Sequence, residues 1–477
     1  MILESENSAI MDQHFKEELA EPVTPTGYYA DSNYLSMYIL AVLEFEVPIH
    51  DLPVVSLIKD AFHNIPRFTS IMIQDEKGVK RWKRVEVKFE EHVTELNFID
   101  GMSVDSYDKH FGDYLSRIAM EKLPKTRPLW QVHVIKYPTS NAKGTVVLKF
   151  HHAIGDGYTL MGLLLSSLQS ADDPSLPLSF PSRKSSKPEN TSKFFLKRIP
   201  LLLSMVCNSL SEFGYSLLKS FLIEDDKTPI RSGVEQFESR STVISNITFS
   251  IDHIKEIKSN LGVTVNDVIT GIIFYGIRLY MQDIDSRSGT LNSTALAIAN
   301  TRKVKDYHGV QEMLKTAKGA WGNHITYLHV SVPKLEDTPI SNPLQFVRKA
   351  HSSIKRKRNS FAAILIVKLL RMKLKIQGPE AVAKDVHRTM TNSSLLISNL
   401  VGPLGKMASA NHPISGLFFT VSGIPQSLVI SIISYMGMLR VTTATEQGSI
   451  DEKKLVGYVN NAFEIIYREA AKQNTRK

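Results

Sequence analysis

Gly144-Thr145-Val146-Val147-Leu148-Lys149-Phe150-His151-His152-Ala153-Ile154-Gly155-Asp156-Gly157-Tyr158 reads as a strand, a tight turn and the start of a helix. Val146, Leu148 and Phe150 alternate with Thr145, Val147 and Lys149, which is strand periodicity with β-branched residues well represented. Gly155 and Gly157 mark a turn where the backbone passes close to another group or takes an unusual φ. Leu160, Leu163, Leu164, Ser167 and Leu168 follow at helical spacing. Two histidines therefore stand at a strand end beside a forced turn. A strand end is a rigid mount, and neutral imidazole accepts a proton near pH 7, so the arrangement suits a general base. A lone histidine is more often a hydrogen-bonded core residue; here the signature is longer, His-His-x-x-x-Asp-Gly, in register after a strand.

The chain has 477 residues, 43% of them hydrophobic and 22% charged, enough for two or three domains with a sizeable core. Mean hydropathy of −0.10 describes a globular protein rather than a disordered one. A single cysteine, Cys207, excludes an internal disulfide and a Cys-rich zinc site, and no metal is expected. It also suits a reducing, cytosol-facing compartment. The net charge of +9 fits nucleic acid, anionic lipid or a polyanionic co-substrate. No nucleic-acid-binding motif accompanies it, which sets nucleic acid aside. The acidic start Met1-Ile2-Leu3-Glu4 lacks the features of a signal peptide, so secretion is not expected.

Outward from the histidines, Met37 to Phe45 reads as a core strand and Val54 to Phe62 as a helix broken at Ile65-Pro66-Arg67-Phe68. Tyr107 to Lys122 has an amphipathic pattern, and Trp130 in Pro128-Leu129-Trp130 anchors a strand through core packing. Residues 1–21 read as a flexible lead-in, 22–170 as an N-terminal subdomain, 171–240 as a linker or crossover, and 241–477 as a C-terminal subdomain. Within the linker, 193–223 is densely apolar but interrupted by Lys197, Arg198, Pro200 and Glu212, which predicts interfacial contact rather than a membrane span. Thr264 or Asn266 caps a long apolar helix running to Tyr280. Lys355-Arg356-Lys357-Arg358 and the later Lys368, Arg371, Lys373 and Lys375 are read either as a solvated face or as a site for anionic lipid or CoA phosphates.

The His151-His152-x-x-x-Asp156-Gly157 pattern resembles the signature of the CoA-dependent acyltransferase superfamily. That group includes chloramphenicol acetyltransferase, plant BAHD acyltransferases, peptide-synthetase condensation domains and wax ester synthase/diacylglycerol acyltransferases. Pro66-Arg67-Phe68, Pro128-Leu129-Trp130, Val265-Asn266-Asp267-Val268 and Ser398-Asn399-Leu400-Val401-Gly402-Pro403 follow in the order of the last, plant-type branch. Ala297 to Arg302 and Trp321-Gly322-Asn323-His324 also resemble segments that plant members carry. No Asp-Phe-Gly-Trp-Gly motif of the BAHD kind is present. The resemblance implies an α/β (α+β) fold of two chloramphenicol-acetyltransferase-like subdomains with an active-site tunnel between them. It implies acyl-CoA as co-substrate, with no permanently bound cofactor, and a long-chain alcohol or diacylglycerol as acceptor. His152 is then the general base, His151 supports the turn, and Asp156 holds the loop by pairing with an arginine. Gly157 permits close approach, and Asn266 is an oxyanion-binding or site-organising candidate. The cytosolic face of the endoplasmic reticulum, with the plasma membrane as a second placement, is the expected location. A BAHD-like enzyme acting on a non-lipid alcohol or amine, and an inactive lipid-binding protein, are the alternatives.

Overall fold

The structure, a computed structural model, describes residues 19–76, 78–97, 101–176, 178, 195–233, 240–302, 313 and 321–474. The lead-in before residue 19 and the linker between 179 and 194 lie outside these residues, as do the side chains of 195–204. Two sheets organise the chain. Strand β7 (Gly144–His151) sits inside the first, between β6 (Trp130–Ile135) and β2 (Tyr38–Phe45), antiparallel to both. The alternation in β7 predicts one buried face, yet all eight residues are buried. Phe62, from the helix Val54–Phe62, meets Phe150 on one side. On the other, the fully buried Lys149 donates to the carbonyls of Ile118 and Glu121 at the end of the helix Val104–Met120. An ammonium there satisfies carbonyls that a helix C-terminus leaves unpaired, which is why a lysine is tolerated in a core strand.

The first sheet is completed by β5 (Val93–Leu96) beside β6 and, beyond β2, by β14 (His412–Ser422), β13 (Met407–Ser409) and β8 (Gln169–Ser170). Met407–Ser422 thus amends the expected division at 241: part of the C-terminal segment pairs with the N-terminal sheet. Leu417, Phe418, Phe419 and Val421 are all buried there, so both faces of this crossing strand are covered by core. The lead-in is amended too. Leu19–Pro22 is a strand, β1, that pairs with β4 (Lys80–Arg84) in a small sheet with β3 (Ser70–Gln74), and Glu21 pairs with buried Arg67.

The second sheet runs β11 (Ile325–Ser331), β10 (Thr294–Asn300), β12 (Leu395–Leu400), β15 (Leu428–Tyr435), β16 (Met438–Glu446) and β9 (Thr242–Ser250). The helix Val265–Ile284 is buried on nearly every side and packs between Leu344–Arg358 and Glu452–Asn474. At Gly271 a Cβ would stand 2.6 Å from the Val347 Cα, so the helices meet backbone to backbone. Thr264, not Asn266, caps this helix, in a reciprocal capping box with Asp267.

The basic run divides in two. Lys357 is buried and binds Glu212 on the helix Phe195–Phe221, and Arg356, itself exposed, binds the same carboxylate from the surface, so these two join two helices. Lys355, Arg358, Lys368, Arg371 and Lys375 are exposed. The helix Ala362–Thr391, broken at Gly378-Pro379, lies along Phe195–Phe221. Among the described residues no single helix is long and apolar enough to cross a membrane.

Candidate active site

The turn after β7 is held from several directions. The His152 N–H donates to Met37 O at 2.8 Å, and Ile154 N–H closes the turn onto His151 O at 3.0 Å. His151 Nδ1 accepts from Ala153 N–H at 3.1 Å, and its ring lies edge-on to Tyr38. Its Nε2 is 3.9 Å from Asp31 Oδ1, and burial pushes its pKa down to about 3. With Nδ1 accepting from the turn, the proton of the neutral His151 ring is on Nε2, on the side of Asp31. Buried Arg67 donates to Ile154 O at 3.1 Å, which gives the Pro66-Arg67-Phe68 segment its place. Trp130 is fully buried, stacks on His92 and donates to Phe68 O, as its reading as a core anchor requires.

Asp156 caps the helix Gly157–Ser167, accepting from Thr159 N–H at 3.1 Å. Its second oxygen accepts from Arg302 Nη1 at 2.7 Å and from His324 N–H at 2.8 Å. Arg302 also donates to Gly322 O at 2.6 Å and stands over the Tyr158 ring. The arginine expected beside Asp156 is therefore Arg302. A Cβ on Gly157 would stand 2.7 Å from the Leu400 Cδ1, so the glycine serves close approach; its φ is not in the left-handed region.

His152 is buried, and its Nδ1 faces Asn323 Oδ1 at 2.9 Å, while Asn323 Nδ2 donates to His152 O at 2.7 Å. Burial holds the imidazole below its usual pKa, opposed by Asp156, the residue's own carbonyl and Asn323. His152 is thus a neutral imidazole at neutral pH, the form that accepts a proton. Asn266 Oδ1 accepts from Asn399 Nδ2 at 2.9 Å; Asn399 precedes Leu400, so this pair borders the turn from the second half.

A narrow cleft of ≈30 Å³ opens where the sheets meet, lined among others by Met120, Thr242, Val421, Ser422, Gln426 and Glu446. The register sets Ser422 opposite Tyr38, and Tyr38 opposite His151. The cleft therefore lies at the histidine end of the sheet, two strands or ~10 Å from β7.

Residues 26–269 match the profile of the wax ester synthase/diacylglycerol acyltransferase catalytic domain, and residues 321–467 match that of the WS/DGAT C-terminal domain. The chain belongs to the wax ester synthase/diacylglycerol acyltransferase family. Wax ester synthase/diacylglycerol acyltransferase 3 of Arabidopsis thaliana is 28% identical over 471 residues, covering 96% of this chain and 95% of that protein. The wax ester synthase/diacylglycerol acyltransferase of Marinobacter aquaeolei VT8 superposes with a TM-score of 0.59 at 14% identity, over 95% of this chain and 100% of that one. The starter condensation domain of rhizomide synthetase, solved with C8-CoA and Leu-SNAC, reaches 0.55 at 11% identity, over 97% and 96% of the two chains. At these identities the structural likeness speaks for the fold.

The chemistry of this WS/DGAT protein is acyl transfer. Three side chains at its histidine turn were not assigned a role from sequence: Arg67, Arg302 and Asn323. All three lie in segments that resemble the family, but only the folded chain brings them within reach of one turn.

Proposed function

We propose that the protein transfers a long-chain acyl group from acyl-CoA to the hydroxyl of a fatty alcohol or of diacylglycerol, with His152 as general base. The observation that carries this reading is a buried neutral imidazole at the end of a rigid strand, within the segment matched to the WS/DGAT catalytic domain. His152 takes the proton of the hydroxyl as its oxygen attacks the thioester carbonyl carbon. The C–O bond forms, the tetrahedral oxyanion collapses, the C–S bond breaks, and the imidazolium returns the proton to the departing CoA sulfur. The base activates the acceptor directly, so no acyl-enzyme is required. The oxyanion needs aimed donors. With Oδ1 engaged by Asn399, Asn266 presents Nδ2 as one candidate. His151, Asp156 and Gly157 hold the turn, and the cleft beside Ser422 is part of the substrate path.

The same reading includes a membrane surface. Val206, Leu210, Phe361, Ile364, Met372 and Ile376 are exposed on two adjacent helices, with Lys368, Arg371 and Lys375 on the second. Such a face suits an anionic leaflet. The cytosolic side of the endoplasmic reticulum is the proposed location, with the plasma membrane as a second placement, because both acceptors are membrane lipids.

The test is purified protein with labelled palmitoyl-CoA and either hexadecanol or diacylglycerol, beside His152→Ala. Wax ester or triacylglycerol that disappears in a folded variant supports the proposal. Product formation that survives the substitution removes His152 as the base.

A further inference from the structure

Asn323 spends both ends of its carboxamide on one residue: Nδ2 meets His152 O at 2.7 Å and Oδ1 meets His152 Nδ1 at 2.9 Å. A carbonyl oxygen only accepts, so the end of the amide that meets it must be the NH₂. The orientation of Asn323 is therefore fixed by chemistry, and its oxygen is the atom that faces the ring. An oxygen acceptor there requires a proton on Nδ1. Neutral imidazole carries one proton, so the lone pair resides on Nε2.

We infer that Asn323 is a positioning residue that sets the tautomer of His152 and makes Nε2 the basic atom of the site. This rests on the reading of His152 as the base and adds how that base is kept competent. Both residues are buried, so water does not compete for Nδ1. The His152 carbonyl acts on its own ring in the same sense, and Asn323 Nδ2 holds that carbonyl.

The placement of Asn323 is itself fixed. On one side, Gly322 O accepts from Arg302 Nη2 and from Thr159 Oγ1 at 2.9 Å; on the other, His324 N–H donates to Asp156. Asn323 stands two residues before β11 and so belongs to the second half, whereas His152 belongs to the first. One half supplies the imidazole and the other supplies its tautomer, so the base is competent only when the halves are docked. The titratable and charged neighbours are His151 before it on the chain, Asp156 within the turn, Arg302 against Asp156 from the second half, and Arg67 on Ile154 O. An amide at 323 fixes the proton without adding another charge to that set.

The test compares Asn323→Ala, Asn323→Asp and His152→Ala in pH profiles of kcat and kcat/KM for acyl transfer. With Asn323→Ala, kcat falls about 10- to 100-fold while KM for both substrates changes less than about twofold, since imidazole orientation is used in the transition state. With Asn323→Asp, a carboxylate meets Nδ1–H, and the acidic limb of kcat/KM moves up by about one pH unit or more. A merely structural asparagine would not lower kcat at unchanged KM when replaced by alanine. Wild-type kcat and an unmoved acidic limb in both variants, with His152→Ala inactive, overturn the inference and leave the base in place. Activity in His152→Ala overturns both. A second measurement stands independent of any variant: ¹⁵N-histidine NMR of the wild-type protein at neutral pH should show His152 with Nδ1 protonated, and an Nε2–H form overturns the inference.

Discussion

Arg302 Nη1 lies 2.7 Å from Asp156 Oδ2 across 146 residues of sequence, and both side chains are almost wholly buried. Asp156 also caps the helix after the histidine turn, and Arg302 also holds Gly322 O. One ion pair therefore couples the turn, its helix and the segment that carries Asn323. Arg302→Ala should destabilise by about 3–5 kcal/mol, because it leaves a buried carboxylate without its cation. Arg302→Lys should recover only part, since a point charge does not reach Asp156 and Gly322 with the geometry of a fork. Urea unfolding beside acyl-transfer assays checks this. An Arg302→Ala protein with a wild-type midpoint would show that the pair does not hold the site.

Gly157 and Leu400 make a second prediction from contact alone. Gly157→Ala places a methyl 2.7 Å from the Leu400 Cδ1, so either the leucine yields or the turn shifts. Overpacking of this kind costs about 1–3 kcal/mol, and the strain would act one turn from His152. Gly157→Ala should lower turnover, and Leu400→Ala in the same chain should restore much of it. Equal losses in the single and double variants would place the defect elsewhere.

Local patterns in the sequence foretell most of the elements around this site. The runs Met37 to Phe45 and Val54 to Phe62 become a strand and a helix at nearly those limits, because each pattern depends on neighbours along the chain. The pairings across the chain are another matter. Nothing near Met407–Ser422 tells that this stretch joins the first sheet, since an apolar strand fits either sheet equally well. Lys149 reads as an outward-facing lysine, yet a helix end closes over it and supplies two carbonyls. The histidine turn is legible because its spacing is local. Asn323, Arg302 and Arg67 reach it only through tertiary folding, so their segments can be recognised but not their partners.

Three buried histidines predict acid lability. Burial pushes His133 down to about 4, and His151 and His329 each to about 3. Each stays neutral in the folded protein while the unfolded chain binds a proton near pH 6.5. Unfolding therefore takes up protons below that value, and stability is present above about pH 6.5 and declines as pH falls toward 4. Each histidine contributes up to about 1.4 kcal/mol per pH unit over that window. Chemical unfolding at pH 7, 6 and 5 should show a falling midpoint, and His329→Gln should flatten the slope. A midpoint independent of pH between 7 and 5 would contradict the neutral assignment.

The exposed helix pair yields a prediction about lipid surfaces. Leu210 is 62% exposed and Ile376 73%, an unusual exposure for aliphatic side chains on adjoining helices. Phe361, Ile364, Lys368, Met372 and Ile376 recur at helical spacing along one side of their helix, with Arg371 and Lys375 beside them. Aliphatic insertion and attraction to anionic headgroups would then act together. Lysines and arginines near an anionic surface contribute about 1 kcal/mol each, so Lys368, Arg371 and Lys375 together amount to about a hundredfold in partitioning. Sedimentation with vesicles should show stronger binding when phosphatidylserine is added to phosphatidylcholine, and weaker binding in high salt. Lys368→Glu, Arg371→Glu and Lys375→Glu combined should remove the preference for the anionic lipid, and Ile376→Glu should weaken binding to both compositions. None of these side chains is among the groups that hold the histidine turn, so turnover of a water-soluble short-chain acyl-CoA and alcohol should be retained. Binding that ignores both lipid charge and these substitutions would take the membrane away from this face.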